Sequence, residues 1–371
     1  MTEPKRRARP RNPTRTPGPG AAASTSAAAP PSEGRSEPPA PSVALEKLDD
    51  RIAAGLLPER PKRGHKGTFG RLLVVAGSLD YAGAALLVCR AAGRAGAGLV
   101  TLAVPESLQP LFAAKVVEAT TMALPEDDVE EVDPEDALAR ILDHEHDAMV
   151  VGPGLRPGLA TADLIRGLLA VEEESAPAPA VVDAEALRSL AARDEWWTAI
   201  GRPVVLTPHV GEFARLRAAS GVAPETDGDL GADDDARETA TRDAALRWGQ
   251  VVVLKGAFTV VAAPDGRAAR APFENPGLAT GGTGDVLAGT IGALLAQGLA
   301  PYDAARLGVY LHGAAGDVLR DRLGDAGMLA GDLPIEITIA RRRLATMAQR
   351  LAAPRRLGFG AAAEPSTDGG A

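Results

Sequence analysis

The chain has 371 residues, 45% of them hydrophobic and only 3% aromatic, and a formal net charge of −9. That length and apolar content allow a substantial core in one large domain or two ordinary ones. An acidic body argues against general nucleic-acid binding, and so few aromatics argue against a base-stacking platform or a membrane-interface belt. A single cysteine, Cys89, excludes an internal disulfide and fits a reducing, cytoplasmic setting.

Residues 1–42 read as a disordered basic tail. Pro, Ala, Ser, Gly and Arg dominate, and the first forty residues contain no Leu, Ile, Val or Phe. Such a segment buries too little apolar surface to offset the entropy of ordering. No apolar h-region follows its arginines, so no secretory signal is expected, and no run approaches the length of a spanning helix. Residues 43–352 are predicted to form the folded domain, and 353–371 a second disordered tail.

Within the domain, short apolar runs alternate with Ala/Leu-rich stretches. "RLLVVAG" (Arg71 to Gly77), "GLVTLAV" (Gly98 to Val104), "AMVVGPG" (Ala148 to Gly154), "AVVDAEAL" (Ala180 to Leu187), "PVVLTPH" (Pro203 to His209) and "VVVLKG" (Val251 to Gly256) suit parallel strands buried on both faces. Helices are predicted between them, at Ala84 to Ala95, Ala160 to Glu173 and Glu238 to Trp248. The alternation gives an α/β fold, a mostly parallel central sheet with helices on both faces. The turn "PDG" after Val251–Ala263 predicts a hairpin on the sheet edge. Acidic Val222 to Asp243 reads as a surface loop leading into a helix. Three helices are expected beyond the hairpin: Thr283 to Gln297, Pro301 to Leu323 and Asp332 to Leu351.

Several strands end in residues suited to ligands: Gly152 to Gly154, Asp183, Thr207 to Glu212 and Lys255 to Thr259. Ligands in open α/β sheets sit beyond the carboxyl ends of the strands, so these clusters should converge on one rim. "NPGLATGGTGDVLAGTIGALLAQG" (Asn275 to Gly298) adds a glycine-rich turn before a helix. Its glycines allow consecutive N–H groups to face one point, and the helix start adds partial positive charge, which together suit a phosphate. Asp285 beside that nest is either an ordinary helix-start acid or a general base for an acceptor hydroxyl. No P-loop occurs, and "GRAGAG" (Gly93 to Gly98) lacks the third glycine of a dinucleotide fingerprint. Asp143, His144 and His146 resemble a metal cluster in composition, but a polar helix-end segment is the better reading.

The stretch "NPGLATGGTGDVLAG" resembles the signature of ADP-dependent NAD(P)H-hydrate dehydratases, a branch of the ribokinase-like superfamily. "HKGTFGRLLVVAGS", "YAGAALL", "AGAGLVTLAVP", "VVGPGL", "VVDAEAL", "LTPHVGEFARL" and "VVVLKGAFTVVA" match in the same order, from about Leu45 to Leu351. Two positions depart from the pattern: Ala82 and Val210 stand where the family commonly has proline. Only about forty low-complexity residues precede the match, so the epimerase domain that many members carry is not expected.

The resemblance implies a ribokinase-like fold and repair of the S epimer of hydrated NADH or NADPH at the expense of ADP. It implies Asp285 as the catalytic base and as a substrate contact, with Ala84, Gly152, Gly154 and His209 also against the hydrate. Lys255, Gly256, Ala257, Phe258, Thr259, Gly282, Thr283 and Gly284 would hold the nucleotide. Read from the residues alone, Gly152 and Gly154 serve equally as turn glycines, and Lys255 serves equally as a lysine reaching for solvent. Glu212 is left between orienting His209, organising magnesium and capping a helix; Asp183 is placed near the reaction centre. Magnesium is expected with the phosphates, its ligands unassigned, and the family implies a homo-oligomer. A vitamin-like alcohol kinase of the same superfamily, acting on a thiazole or pyrimidine, is the competing reading.

Overall fold

A computed structural model describes residues 44–170, 177–222 and 229–352. The predicted terminal tails, 1–42 and 353–371, lie outside the described residues. Strands are β1 (Glu46–Lys47), β2 (Arg71–Val75), β3 (Leu99–Pro105), β4 (Thr120–Leu124), β5 (Glu126–Asp128), β6 (Glu131–Val132), β7 (Ala148–Val151), β8 (Ala180–Val182), β9 (Val204–Leu206), β10 (Val251–Leu254), β11 (Val260–Ala262) and β12 (Ala268–Arg270). Helices are α1 (Asp50–Gly55), α2 (Ala82–Ala95), α3 (Gln109–Ala113), α4 (Pro134–Leu142), α5 (Leu159–Ala170), α6 (Glu185–Ala191), α7 (Val210–Ala219), α8 (Asp234–Trp248), α9 (Thr283–Ala296), α10 (Pro301–Leu323) and α11 (Leu333–Ala352).

Ten strands form one sheet in the order β1-β12-β11-β10-β9-β8-β7-β2-β3-β4, parallel from β10 through to β4. The central strands are continuous apolar runs because both faces are covered, and alternate residues serve opposite cores. Leu72, Val74, Val150 and Val253 face a core completed by α2, α9, α10 and α11. Leu73, Val75, Met149 and Leu254 face one completed by α5 to α8. The mostly parallel sheet with helices on both faces is the fold expected from the alternation of runs. The antiparallel β10-β11-β12 stretch carries the predicted hairpin around Pro264–Gly266, but β1 pairs with β12 and takes the edge. A two-residue strand leaves no periodicity to detect.

Chain order reverses between β2 and β7: β3 and β4 lie to one side of β2, and β7 to β10 step away on the other. Such a reversal opens a crevice at the carboxyl ends of the strands. Helix α9 is apolar nearly all round and is buried between α2 and the sheet, which aims its first turn at that rim. Among the described residues no helix is long and apolar enough to cross a membrane.

Candidate active site

A cavity of ≈ 820 Å³ opens at the carboxyl ends of β8, β9 and β10 and the start of α9. Asp183, His209, Lys255, Gly256, Ala257, Thr259, Gly282, Thr283, Gly284 and Asp285 all line it. Residues from four separate sequence runs therefore meet at one rim. Phe273, Leu278, Leu287 and Val309 add an apolar wall wide enough for a ring system.

The glycine-rich turn is held by its own side chains. Asn275 caps the turn by accepting from Gly277 N–H at 2.9 Å, and Thr280 Oγ1 donates to Gly277 O at 2.9 Å. Thr283 Oγ1 lies 2.7 Å from Leu278 O and 2.9 Å from Thr280 O, and Thr283 N–H also goes to Thr280 O. Both donors of Thr283 are thus used inside the loop, so it shapes the nest and its hydroxyl does not point a proton at a ligand. Gly282 takes φ 91°, a left-handed conformation that disfavours other residues, and starts the helix without a side-chain cap. The N–H groups of Gly282, Gly284 and Asp285 make no backbone hydrogen bond among the described residues, which leaves them as donors to an anion.

Asp285 does not behave as a helix-start acid, whose carboxylate the helix dipole would keep ionised. Burial, and then the charge of Asp183, raise its pKa to about 7, against the opposing pull of Lys255. A carboxyl poised there is matched to proton transfer near neutrality.

Lys255 closes β10 and is bonded into the sheet through Pro208 O. Its ammonium lies 2.8 Å from Asp183 Oδ1 and 3.8 Å from Glu212 Oε2. Burial pushes its pKa down, but Asp183 and Glu212 outweigh burial and hold it above the ordinary lysine value. Lys255 is thus a charged, inward-facing group and not a snorkelling one. Asp183 gives its carboxylate to this lysine, and only its backbone carbonyl takes part in the following turn, accepting from Ala186 N–H.

His209 is the N-cap of α7. Its Nδ1 accepts from Gly211 and Glu212 N–H at 3.0 and 3.3 Å, and Glu212 Oε2 accepts from His209 N–H at 2.9 Å. Because Nδ1 accepts, the neutral ring carries its proton on Nε2, 3.5 Å from Glu212 Oε1. Glu212 therefore caps the helix and orients His209 at once.

Ala84, Gly152, Gly154 and Phe258 do not line the cavity. Gly152 and Gly154 are packed by the chain itself: a Cβ on Gly152 would come 1.9 Å from Asp183 O, and one on Gly154 2.8 Å from the Ala84 Cβ. Those contacts place the β7 turn against the start of α2, at the strand reversal. Gly282 joins this corner to the cavity, its bare face lying against Leu87 of α2.

His312, on α10, is a site residue that the sequence reading missed. It is buried, lines the cavity, and its Nε2 donates to Thr283 O at 2.9 Å. Burial holds its pKa at about 4, so the ring is neutral and braces the start of α9 from behind. The run "VYLHGAAG" has no pattern that separates such a histidine from a core one.

Among the described residues no group of three or more His, Cys, Asp or Glu side chains is arranged to hold a metal ion. Asp183 and Glu212 are both turned to Lys255, and His144 and His146 stack on each other away from any such group. These residues do not by themselves fit a magnesium site.

Comparison with known proteins follows the same lines as the geometry. A family model described as NAD(P)H-hydrate dehydratase matches residues 72–338. A bifunctional NAD(P)H-hydrate repair enzyme of Moorella thermoacetica is 46% identical over 279 residues, 75% of this chain and 50% of that one. The chain thus spans about half the length of that relative. An ADP-dependent (S)-NAD(P)H-hydrate dehydratase of Neisseria meningitidis is 38% identical over 77% of this chain and 89% of its own. Among solved structures, the ADP/ATP-dependent NAD(P)H-hydrate dehydratase of Bacillus subtilis, co-crystallised with ATP and Mg2+, superposes with a TM-score of 0.66 at 32% identity, covering 81% of this chain and 99% of that one.

Proposed function

This chain belongs to the NAD(P)H-hydrate dehydratase family, and from that premise we propose that it dehydrates the S epimer of hydrated NADH or NADPH, consuming ADP and releasing AMP and phosphate. One observation carries the proposal: a carboxyl with a pKa near 7 stands at the mouth of an amide nest, beside a buried lysine, in a cavity large enough for a nucleotide.

The chemistry needs a better leaving group than hydroxide. Asp285 takes the proton of the ring hydroxyl as the terminal phosphoryl group of ADP passes to that oxygen, and AMP departs. The ring nitrogen of the phosphorylated tetrahydropyridine then pushes its lone pair toward the adjacent carbon, the carbon–oxygen bond breaks, and phosphate leaves with the electrons, giving an iminium ion. Loss of the proton on the neighbouring ring carbon to water then restores the dihydropyridine, and Asp285 releases the hydroxyl proton it took to solvent.

The free amides of Gly282, Gly284 and Asp285 receive the phosphoryl oxygens, which carry most of the charge in such a transfer. Lys255 to Thr259 hold the nucleotide, and the apolar wall of Phe273, Leu278 and Val309 receives its base. His209 offers Nε2–H to the hydrate, with Ala84, Gly152 and Gly154 setting its binding corner. Magnesium accompanies the phosphates in this reading, but no step is assigned to it. A cytoplasmic homo-oligomer is part of the same reading and is checked by light scattering and fractionation.

The test is to incubate the protein with NADHX and with ADP, ATP or no nucleotide. Return of the reduced nicotinamide absorbance with stoichiometric AMP and phosphate in the ADP arm is expected. A stable phosphorylated product on a thiazole or pyrimidine alcohol, with NADHX untouched, would show the kinase reading to be right instead.

A further inference from the structure

Arg237 lies on α8, outside every run that pointed to the site, and is 3% exposed. Its guanidinium reaches beneath the end of β10. One terminal nitrogen donates to Leu230 O at 2.7 Å, and the other to Leu254 O at 3.1 Å and Lys255 O at 3.3 Å. Its Nε is buried with no hydrogen-bond partner. Among the described residues no carboxylate pairs with it; Asp234, which acts on it from further away, pairs with Arg270.

The guanidinium stands directly against the bare face of Gly256. A Cβ there would meet its two terminal nitrogens at 2.8 and 3.1 Å. Gly256 also lines the cavity, so one peptide backbone separates a buried cation from the ligand space. The neighbouring cation, Lys255, already has Asp183 and Glu212. Arg237 has only carbonyl oxygens, and a buried charge met by dipoles alone is incompletely compensated. Burial accordingly holds its pKa below the ordinary arginine value.

We propose that Arg237 is a positioning residue of the nucleotide site, which holds the Lys255–Thr259 run against β10 and whose uncompensated charge, acting across Gly256, favours a polyphosphate over an uncharged nucleoside. The inference rests on the nucleotide-dependent reading above and adds the group that selects for phosphate. A purely structural staple between the Leu230 turn and β10 would instead serve all ligands alike.

The test compares wild type with Arg237→Met and Arg237→Lys. Thermal unfolding checks the fold, calorimetry gives Kd for ADP and adenosine, and steady-state rates give KM for ADP and kcat. Arg237→Met should weaken ADP by roughly tenfold or more, as expected for one charge acting over several ångströms at intermediate dielectric, and adenosine by less than about twofold. KM for ADP should rise with kcat at saturation nearly unchanged, and Arg237→Lys should recover most of the lost ADP affinity. Unchanged ADP binding, or equal loss for ADP and adenosine, overturns the inference. Should Arg237→Met not fold, Arg237→Gln, which removes the charge and keeps amide donors for the carbonyls, decides: ADP weakened by roughly tenfold with adenosine within about twofold supports the inference, and unchanged ADP binding or equal weakening of both ligands overturns it. Wild type binding neither ADP nor ATP would overturn the parent reading as well, whereas ADP bound equally by wild type and a folded Arg237→Met overturns this inference alone.

Discussion

Lys255 Nζ lies 2.8 Å from Asp183 Oδ1, and both members of this ion pair, made across 72 residues of sequence, act on Asp285, whose pKa burial raises most. Asp183 raises the pKa of Asp285 and Lys255 lowers it, so this carboxyl is tuned by two neighbours of opposite sign on top of its burial.

Asp285→Asn should cut turnover by about 10²- to 10⁴-fold, the range for a lost acid–base group, while ADP affinity changes by only about a few fold. Single-turnover rates and nucleotide calorimetry on one preparation separate the two. Near-normal turnover would remove Asp285 as the base.

The pH profile follows from the same carboxyl. As a base, Asp285 works ionised, so kcat should rise with pH through an acid limb near 7. Asp183→Asn removes the like charge and should move that limb to lower pH. Lys255→Met removes the opposing charge and should move it higher, and it should also cost about 3–5 kcal/mol of stability by stranding buried Asp183. Identical acid limbs in all three proteins would show that another group controls the rate.

Stability should respond to Asp285 and His312 with opposite signs. Asp285 titrates at about 7 when folded against 3.8 in the ordinary carboxylate, so its contribution is fully present below about 4 and is lost as pH rises through 7. His312 titrates at about 4 when folded against 6.5, so its contribution is present above 6.5 and is lost as pH falls through 4. Asp285→Asn should therefore stabilise the protein at pH 8 more than at pH 4. His312→Leu should lose about 1 kcal/mol at pH 8 from the broken bond to Thr283 O, and recover some of that loss near pH 4. Denaturant melts at the two pH values measure both differences.

Glycines that looked alike in sequence should separate on substitution. Gly152→Ala forces a Cβ to 1.9 Å from Asp183 O at φ 119°, and should destabilise the fold by about 3 kcal/mol or more. A Cβ on Gly284 meets Lys255 Nζ at 3.4 Å and Asp183 Oδ2 at 3.8 Å, ordinary contacts, so Gly284→Ala should fold normally. It fills the phosphoryl nest and should lose nucleotide affinity. Thermal melts with and without ADP distinguish the two behaviours.

Much of this protein was legible from local pattern. Continuous runs such as Arg71–Val75 and Val251–Leu254 mark strands covered on both faces because burial on two sides leaves no polar positions. "GGTGD" marks an anion nest because its glycines and the helix start act over a few adjacent residues. What the sequence did not show is what arises from groups brought together across the fold. β1 is two residues long and is a strand only because β12 lies beside it. His312 and Arg237 sit in helices whose sequence pattern is that of any buried helix, and they become part of the site by facing Thr283 O and Gly256.

Sequence by itself determined the layered α/β architecture and singled out Asp285 beside the glycine-rich turn, since periodicity and turn chemistry depend on near neighbours. Only the tertiary structure decided that Asp285 is held near neutrality, that Lys255 is paired inward, and that Gly152 makes room for Asp183. Desolvation and Coulomb forces act through space, and the distances that govern them exist only once the chain has folded.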